Sequence, residues 1–211
     1  IRASIQSQLA TQVDVYAGTA DSERIGDVRV QSTSQGTSVL INGYSYNPAG
    51  AIFGGFAGWT AISNLPDVRY ELAAAGANGK IFAIGGDDGN NNAFSAVYMY
   101  DTENPAGGWT SVSNLPAGRR QLAAATVNGK VYAIGGYSNG TKSTVYEYDP
   151  TQPTQGWTTI SSLPQARKDL AAANVNGKLY VAGGIPSSGT TPTNSVYIYD
   201  PSQPSAGWTT L

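Results

Sequence analysis

Residues 72–86 read LAAAGANGKIFAIGG: two short apolar runs parted by Asn-Gly and closed by a glycine pair. The arrangement returns at 122–136 (LAAATVNGKVYAIGG) and at 170–184 (LAAANVNGKLYVAGG). Asn-Gly between apolar runs predicts a two-residue type I′ hairpin, because both turn residues need φ > 0. Each copy therefore predicts strand, tight turn, strand, then a stop at Gly-Gly. Alanine favours helix, but the few residues between a Pro-containing loop and the turn are too short for one. Small side chains also suit a strand crowded by its neighbours. The second strand, residues 130–134 and its counterparts, is apolar on both faces, as expected of a sheet covered on both sides.

The pattern extends beyond the hairpin. Gly-Trp-Thr recurs with Trp59, Trp109, Trp157 and Trp208, spaced by 50, 48 and 51 residues. Val-Tyr-x-Tyr-Asp recurs at 97–101, 145–149 and 196–200, and Asn/Ser-Leu-Pro at 64–66, 114–116 and 162–164. The first predicts a third strand with both Tyr on one face. The Gly-Trp-Thr segment predicts a fourth, ended by Pro. A period near fifty with four antiparallel strands per unit predicts an all-β propeller built of four-stranded blades.

The unit Arg-x-x-Leu-Ala-Ala-Ala…Asn-Gly-Lys-x-Tyr-x-x-Gly-Gly…Tyr-x-Tyr-Asp…Trp resembles the kelch repeat. The resemblance covers residues 58–211 as three kelch-type repeats. It implies a propeller, usually of six or seven blades, whose loops at one end bind a partner. The ring is then incomplete here, or is completed by other chain segments. The chain starts at Ile1 rather than Met, which fits a processed or trimmed form.

Residues 1–20 read as an N-terminal arm. Ile5 and Leu9, four apart, predict a weak helix over 1–12, with a short strand at 13–16. Residues 21–57 read as a degenerate blade or as an attachment segment. Gly36 and Gly43 keep the seven-residue spacing of the later copies, with strands expected at 27–32 and 37–41 and a shortened third near 51–53.

Composition narrows the chemistry. Charged residues are 12% of 211, with a net charge of −2, so the basic surface that phosphate backbones require is missing. Nucleic acid is excluded as a partner, and no apolar run approaches the ~18 residues of a spanning helix. With no His and no Cys, Ser-His-Asp triads, thiol nucleophiles and imidazole- or thiolate-bound zinc and copper are excluded. No catalytic residue, metal site or cofactor is expected. Asp101, Asp149 and Asp200 recur in every copy at a strand end and read as turn caps, because an active site needs asymmetry. The polar Ser, Thr, Asn and Gln surface suggests an extracellular or particle-surface location.

Candidate binding residues lie in two places. Arg69, Arg119 and Arg167 precede the first strand of each copy and fall on one rim, followed by Tyr70, Arg120 and Lys168. They read either as a partly basic ring for an acidic peptide, sialylated glycan or carboxylate, or as ties between blades through backbone carbonyls. Glu71 and Asp169 stand close enough to neutralise part of such a ring. The loops after Gly-Gly, at 87–94, 137–143 and 185–194, differ most between copies, and variable loops on a rigid scaffold are where recognition sits. They supply Asp87, Asp88, Asn90, Tyr137 and Asn139. Asp87-Asp88-Gly-Asn lacks the spaced acids and closing Glu of a calcium loop. Asn139-Gly140-Thr141 is a glycosylation sequon, meaningful only in a eukaryotic secretory setting. The four Trp recur as scaffold does.

Together these features predict a non-catalytic module that binds a protein or glycan through rim loops. The alternative is a structural subunit of an extracellular filament, fibre or virion surface, with self-association or docking to an assembly. A propeller-type sugar isomerase or hydrolase ranks third.

Overall fold

In a computed structural model, residues 61–187 and 189–211 are described in full. Of the residues before them, the backbone of four strands is described. The chain divides into two compact units, Ile1–Thr60 and Ala61–Leu211.

The first unit holds β1 (Arg2–Gln6), β2 (Gln12–Tyr16), β3 (Arg24–Ser32) and β4 (Gly36–Tyr46), paired antiparallel in that order. The helix expected over 1–12 is replaced by β1, whose Arg2 lies opposite Tyr16 and Gln6 opposite Gln12. Ala3 and Ile5 alternate with Arg2, Ser4 and Gln6. That period of two outweighs a single i, i+4 pair. The strands expected at 27–32 and 37–41 fall inside β3 and β4. Gly43, expected at a strand end, lies within β4. The third strand expected near 51–53, and Trp59, lie outside the described residues.

The second unit contains three four-stranded antiparallel sheets, one per repeat. The first comprises β5 (Ala73–Ala77), β6 (Lys80–Ile84), β7 (Val97–Asp101) and β8 (Trp109–Ser111). The second has β9 (Ala123–Val127), β10 (Lys130–Ile134), β11 (Val145–Tyr148) and β12 (Trp157–Ile160). In the third, the two-residue strands β13 (Arg167–Lys168) and β16 (Ile185–Pro186) pair with each other. They flank the sheet of β14 (Ala171–Val175), β15 (Lys178–Ala182), β17 (Val196–Tyr199) and β18 (Trp208–Thr210). Each sheet is a blade with the strand order the repeats predict.

The turns have the expected chemistry. Asn78, Asn128 and Asn176 have φ of 51°, 50° and 51°, and the glycines that follow have 70°, 75° and 76°. Both central residues are thus left-handed, as a type I′ turn demands. The closing pair needs glycine for space as well. At Gly136, φ +96°, a Cβ would lie 2.7 Å from the Arg120 carbonyl and 2.9 Å from Leu122 Cβ.

The alanine strands stand side by side, with β9 against both β5 and β14. Apolar cores fill the two junctions. Phe82, Ile84 and Val97 of the first blade meet Val131, Tyr146, Tyr148 and Trp157 of the second. Val127, Tyr132, Ile134 and Val145 of the second blade meet Leu179, Val181, Tyr197 and Tyr199 of the third. Short 3-10 turns at Pro105–Gly107, Pro153–Gln155 and Pro204–Ala206, which the repeat pattern did not signal, lead into the Trp strands. The indole N–H groups of Trp109, Trp157 and Trp208 donate to the carbonyls of Ser63, Ser113 and Ser161 at 2.8–2.9 Å. Their rings lie 5.1–5.4 Å from Tyr100, Tyr148 and Tyr199. These Trp are scaffold, as their recurrence implies.

Candidate functional site

The rim is built on the repeated arginines. Each of these side chains is withdrawn from solvent: that of Arg69 is 0% exposed, and Arg119 and Arg167 are 2% and 0% exposed as residues. Their guanidiniums donate to the carbonyls of Gly85, Gly135 and Gly183 at 2.8–2.9 Å, and to those of Ala96, Thr144 and Ser195 at 3.2–3.4 Å. Arg119 also donates to the hydroxyls of Thr144 and Tyr146, and Arg167 to that of Ser195. The guanidiniums lie over the rings of Tyr98, Tyr146 and Tyr197 at 4.7, 4.6 and 4.2 Å. That cation–π contact faces a charge whose Nε has no hydrogen-bond partner. Burial pulls the Arg119 guanidinium below its usual pKa.

Backbone bonds complete the tie. The Arg119 N–H donates to the Phe94 carbonyl at 2.9 Å, and Gly86 N–H donates to the Arg119 carbonyl at 2.8 Å. Arg167 does the same with Lys142 and Gly136. The main chains of Arg119 and Arg167 are thus held by the preceding blade and their side chains by their own, while the Arg69 side chain is held by its own blade. Of the two readings of these arginines, the geometry supports the tie. The basic ring expected of Arg69, Arg119 and Arg167 is not presented to solvent, because carbonyls and aromatic faces occupy it.

One residue further on, the rim turns outward. Tyr70 bridges to Asp87, Arg120 to Tyr137, and Lys168 pairs with Ile185 in β13–β16. These three pairs occupy equivalent places, and they join the residue after each arginine to the residue after each Gly-Gly. Arg120 donates to Asp87 across the blade junction at 3.0 Å and approaches Glu71 at 3.8 Å. Asp87 is 0% exposed and also accepts from Gly89 N–H at 2.7 Å. The Arg120 guanidinium and the Lys168 ammonium both lie over the Tyr137 ring, at 5.2 and 5.3 Å. Tyr70 is 45% exposed. Desolvation, then the charges of Asp87 and Glu71, push its hydroxyl above its ordinary pKa, so it stays a donor.

The next position carries residues that the sequence reading passed over as a site. Glu71, Gln121 and Asp169 have φ of 55°, 52° and 54°. The left-handed region is costly for such side chains. A chain of hydrogen bonds from blade to blade holds them there: Gln121 N–H to the Glu71 carbonyl and Asp169 N–H to the Gln121 carbonyl, both 2.9 Å. Lys168 Nζ donates to the Gln121 amide oxygen at 3.3 Å, and the Gln121 amide donates to Asp169 at 3.4 Å. The available signal was a polar residue just before each Leu-Ala-Ala run.

The remaining loop candidates are set apart from this cluster. Asp88 accepts from Asn90 N–H at 2.8 Å and Asn92 Nδ2 at 2.9 Å, and the Asn92 bond is the main cause of its lowered pKa. Asp87 and Asp88 are thus committed to their own loop and to Arg120. Asn90 and Asn139 are exposed at turns, Asn139 with φ 49°. Among the described residues no group of three acidic side chains is placed to hold a metal ion. Among the described residues no helix is long and apolar enough to cross a membrane.

Residues 56–211 match the family model described as the KLHDC2/KLHL20/DRC7 Kelch-repeats domain. The chain belongs to the kelch-repeat family. No curated protein matches it. Among solved structures, that of YjhT is similar at a TM-score of 0.61 and 20% identity, over 70% of this chain and 52% of the other. The chain thus spans about half the length of that structure, and the likeness shows the fold.

Proposed function

We propose that the unit Ala61–Leu211 is a non-catalytic recognition module that takes a protein ligand on the rim formed by Tyr70-Glu71, Arg120-Gln121 and Lys168-Asp169. One observation carries this reading. A backbone that is the same in all three blades, left-handed turn included, presents a different side-chain pair each time. Scaffold positions repeat because each blade needs the same contacts. Positions that differ on a shared backbone are free to serve a ligand. Membership in the kelch family supports a protein over a small molecule. The lack of His and Cys, and the engagement of Asp87 by Arg120, support a binding role over a catalytic one.

The test is capture of a protein partner on the immobilised chain, followed by binding isotherms for variants. Lys168→Glu and Tyr137→Ser are expected to weaken that partner at least about tenfold, the scale of one lost hot-spot contact. Thr209→Ala, on the exposed β18, is expected to bind as the parent does. Equal binding by all three overturns the reading. Strong signals on a glycan array with no captured protein would transfer the same rim to a sugar ligand.

A further inference from the structure

The three buried arginines share a cradle but not a counter-ion. In the first blade Asp67 supplies one. Its Oδ2 accepts from Arg69 Nη2 at 3.1 Å and from the Tyr98 hydroxyl at 2.5 Å. The Tyr98 bond above all, then Arg69, holds the Asp67 carboxyl below the ordinary carboxylate range. A tyrosine hydroxyl and a guanidinium side by side thus favour a carboxylate anion.

Asp67 stands two residues before Arg69. The same place is Ala117 in the second blade and Gln165 in the third, each on a strap that bends at a proline and the residue after it. Gln165 still reaches its arginine, its amide oxygen accepting from Arg167 Nη2 at 3.5 Å. Ala117 has no polar atom to offer. Every hydrogen bond of the Arg119 side chain ends on a neutral group: the carbonyls of Gly135 and Thr144, and the hydroxyls of Thr144 and Tyr146. The first blade has Ala96 where the second has Thr144, so Asp67 fills there what a hydroxyl fills here. The bonds of Arg119 are therefore met while its charge is not. A buried charge without an opposite partner is unfavourable.

The rest of the cradle is conserved between the two blades. The guanidiniums of Arg69 and Arg119 lie over Tyr98 and Tyr146 at 4.7 and 4.6 Å. The Tyr146 hydroxyl accepts from Arg119 Nη2 at 3.0 Å, which leaves its own O–H to donate. The way in is from the surface. In the first blade the Asp67 side chain is 52% exposed while that of Arg69 is 0% exposed, so a carboxylate in that place meets solvent and the buried cation together. Ala117 is exposed. The second blade packs against a neighbour on each side, so the opening over Ala117 belongs to a blade whose two faces are covered.

We infer that the second blade binds a carboxylate over Ala117, where it accepts from the Tyr146 hydroxyl and pairs with Arg119 as Asp67 does with Tyr98 and Arg69. The carboxylate is borne by the protein ligand, which rests on the recognition role proposed above and gives that ligand an acidic group. The strap that carries Ala117 runs on three residues later into Arg120 of the rim.

Short peptides test the subsite without any partner. Ala-Asp-Ala capped at both ends offers a side-chain carboxylate, and Ala-Ala-Ala capped only at its N-terminus offers a terminal one. Each is titrated into isotope-labelled chain while the NMR signals of the Arg119 guanidinium are followed. At least one is expected to shift them saturably, and the one that does names the source of the carboxylate. Fully capped Ala-Asn-Ala is expected to leave them in place. Ala117→Asp supplies the carboxylate within the chain. It is expected to raise the melting midpoint by about 2 °C or more and to weaken the bound peptide at least about tenfold. Ala117→Asn, of the same shape without the charge, is expected to do neither. Silence from both acidic peptides overturns the inference, as does equal peptide binding by the parent and Ala117→Asp. A captured protein weakened by Lys168→Glu but not by Ala117→Asp also overturns it and leaves the recognition role standing. Peptide binding with no captured protein supports the subsite and counts against the recognition role alone.

Discussion

Arg119 and Arg120 are neighbours in sequence and belong to different parts of the molecule. Arg119 is 2% exposed, held by two carbonyls and two hydroxyls, and has counterparts in Arg69 and Arg167. Arg120 reaches the rim, pairs with a carboxylate of the preceding blade, and is Tyr or Lys in the other copies. A strand-like backbone sends consecutive side chains to opposite sides. One step along the chain therefore separates a guanidinium enclosed by carbonyls and an aromatic ring from one that pairs with a carboxylate at the rim. The same division separates Gly-Gly from the residue after it, since both glycines of each pair have positive φ while Asp87, Tyr137 and Ile185 differ freely.

The largest effect that sharpens this contrast is expected at Arg119. Arg119→Ala leaves the Gly135 and Thr144 carbonyls and the Tyr146 hydroxyl without their donor inside a junction. The cost is expected to be about 3 kcal/mol or more in urea or thermal unfolding, since each buried unsatisfied group costs about 1–3 kcal/mol. A loss no greater than that of Arg120→Ala breaks the contrast.

Next comes the pair across the junction. Arg120→Ala strands the fully buried Asp87 and is expected to cost about 2 kcal/mol, less than the range for a wholly buried pair because Gly89 N–H remains. Adding Asp87→Asn to that variant is expected to recover about half, and a double-mutant cycle reads the coupling directly. Additive losses would show that the two side chains act independently.

Acid titration addresses the repeated carboxylates. Asp101, Asp149 and Asp200 are held below their ordinary pKa of 3.8, chiefly by side-chain hydrogen bonds from Lys80, Thr151 and Ser202 respectively. A carboxyl depressed in the folded state adds stability above 3.8 and surrenders it as pH falls through its lower folded value. The urea midpoint is therefore expected to fall as pH drops below 3.8. The triple Asp→Asn variant is expected to show a flatter dependence there. An unchanged slope would remove these caps from the scaffold.

The smallest effect is expected at Lys168. Its contacts, Gln121 at 3.3 Å and Asp169 at 3.8 Å, are long, so Lys168→Ala is expected to shift stability by no more than about 0.5 kcal/mol. A larger loss would move Lys168 from the displayed side of the contrast to the scaffold.

The blades were legible in the chain because their signals are local. Asn-Gly fixes a turn from two residues, alternation fixes a strand from five, and a third repetition fixes the register. The weak helix over residues 1–12 failed for the same reason in reverse: one i, i+4 pair competed with an alternation already present in residues 2–6. The arginines were legible as a set. Their role depended on where the guanidinium goes, and a run of Arg-Arg or Arg-Lys reads the same whether the first points in or out. Glu71, Gln121 and Asp169 were visible as polar residues, but their left-handed backbone arises from bonds made to the neighbouring blade.

Local pattern alone therefore determined the three four-stranded blades, their type I′ turns, the scaffold role of the Trp and capping Asp, and the exclusion of His- and Cys-based chemistry. Only the tertiary structure decided that the guanidiniums of Arg69, Arg119 and Arg167 are buried against carbonyls and rings, with Arg119 and Arg167 tying one blade to the next. Only it showed Asp87 buried against Arg120. The physical reason is that these properties belong to pairs of groups about fifty residues apart. Their energies exist only when one blade's carbonyl meets the next blade's donor.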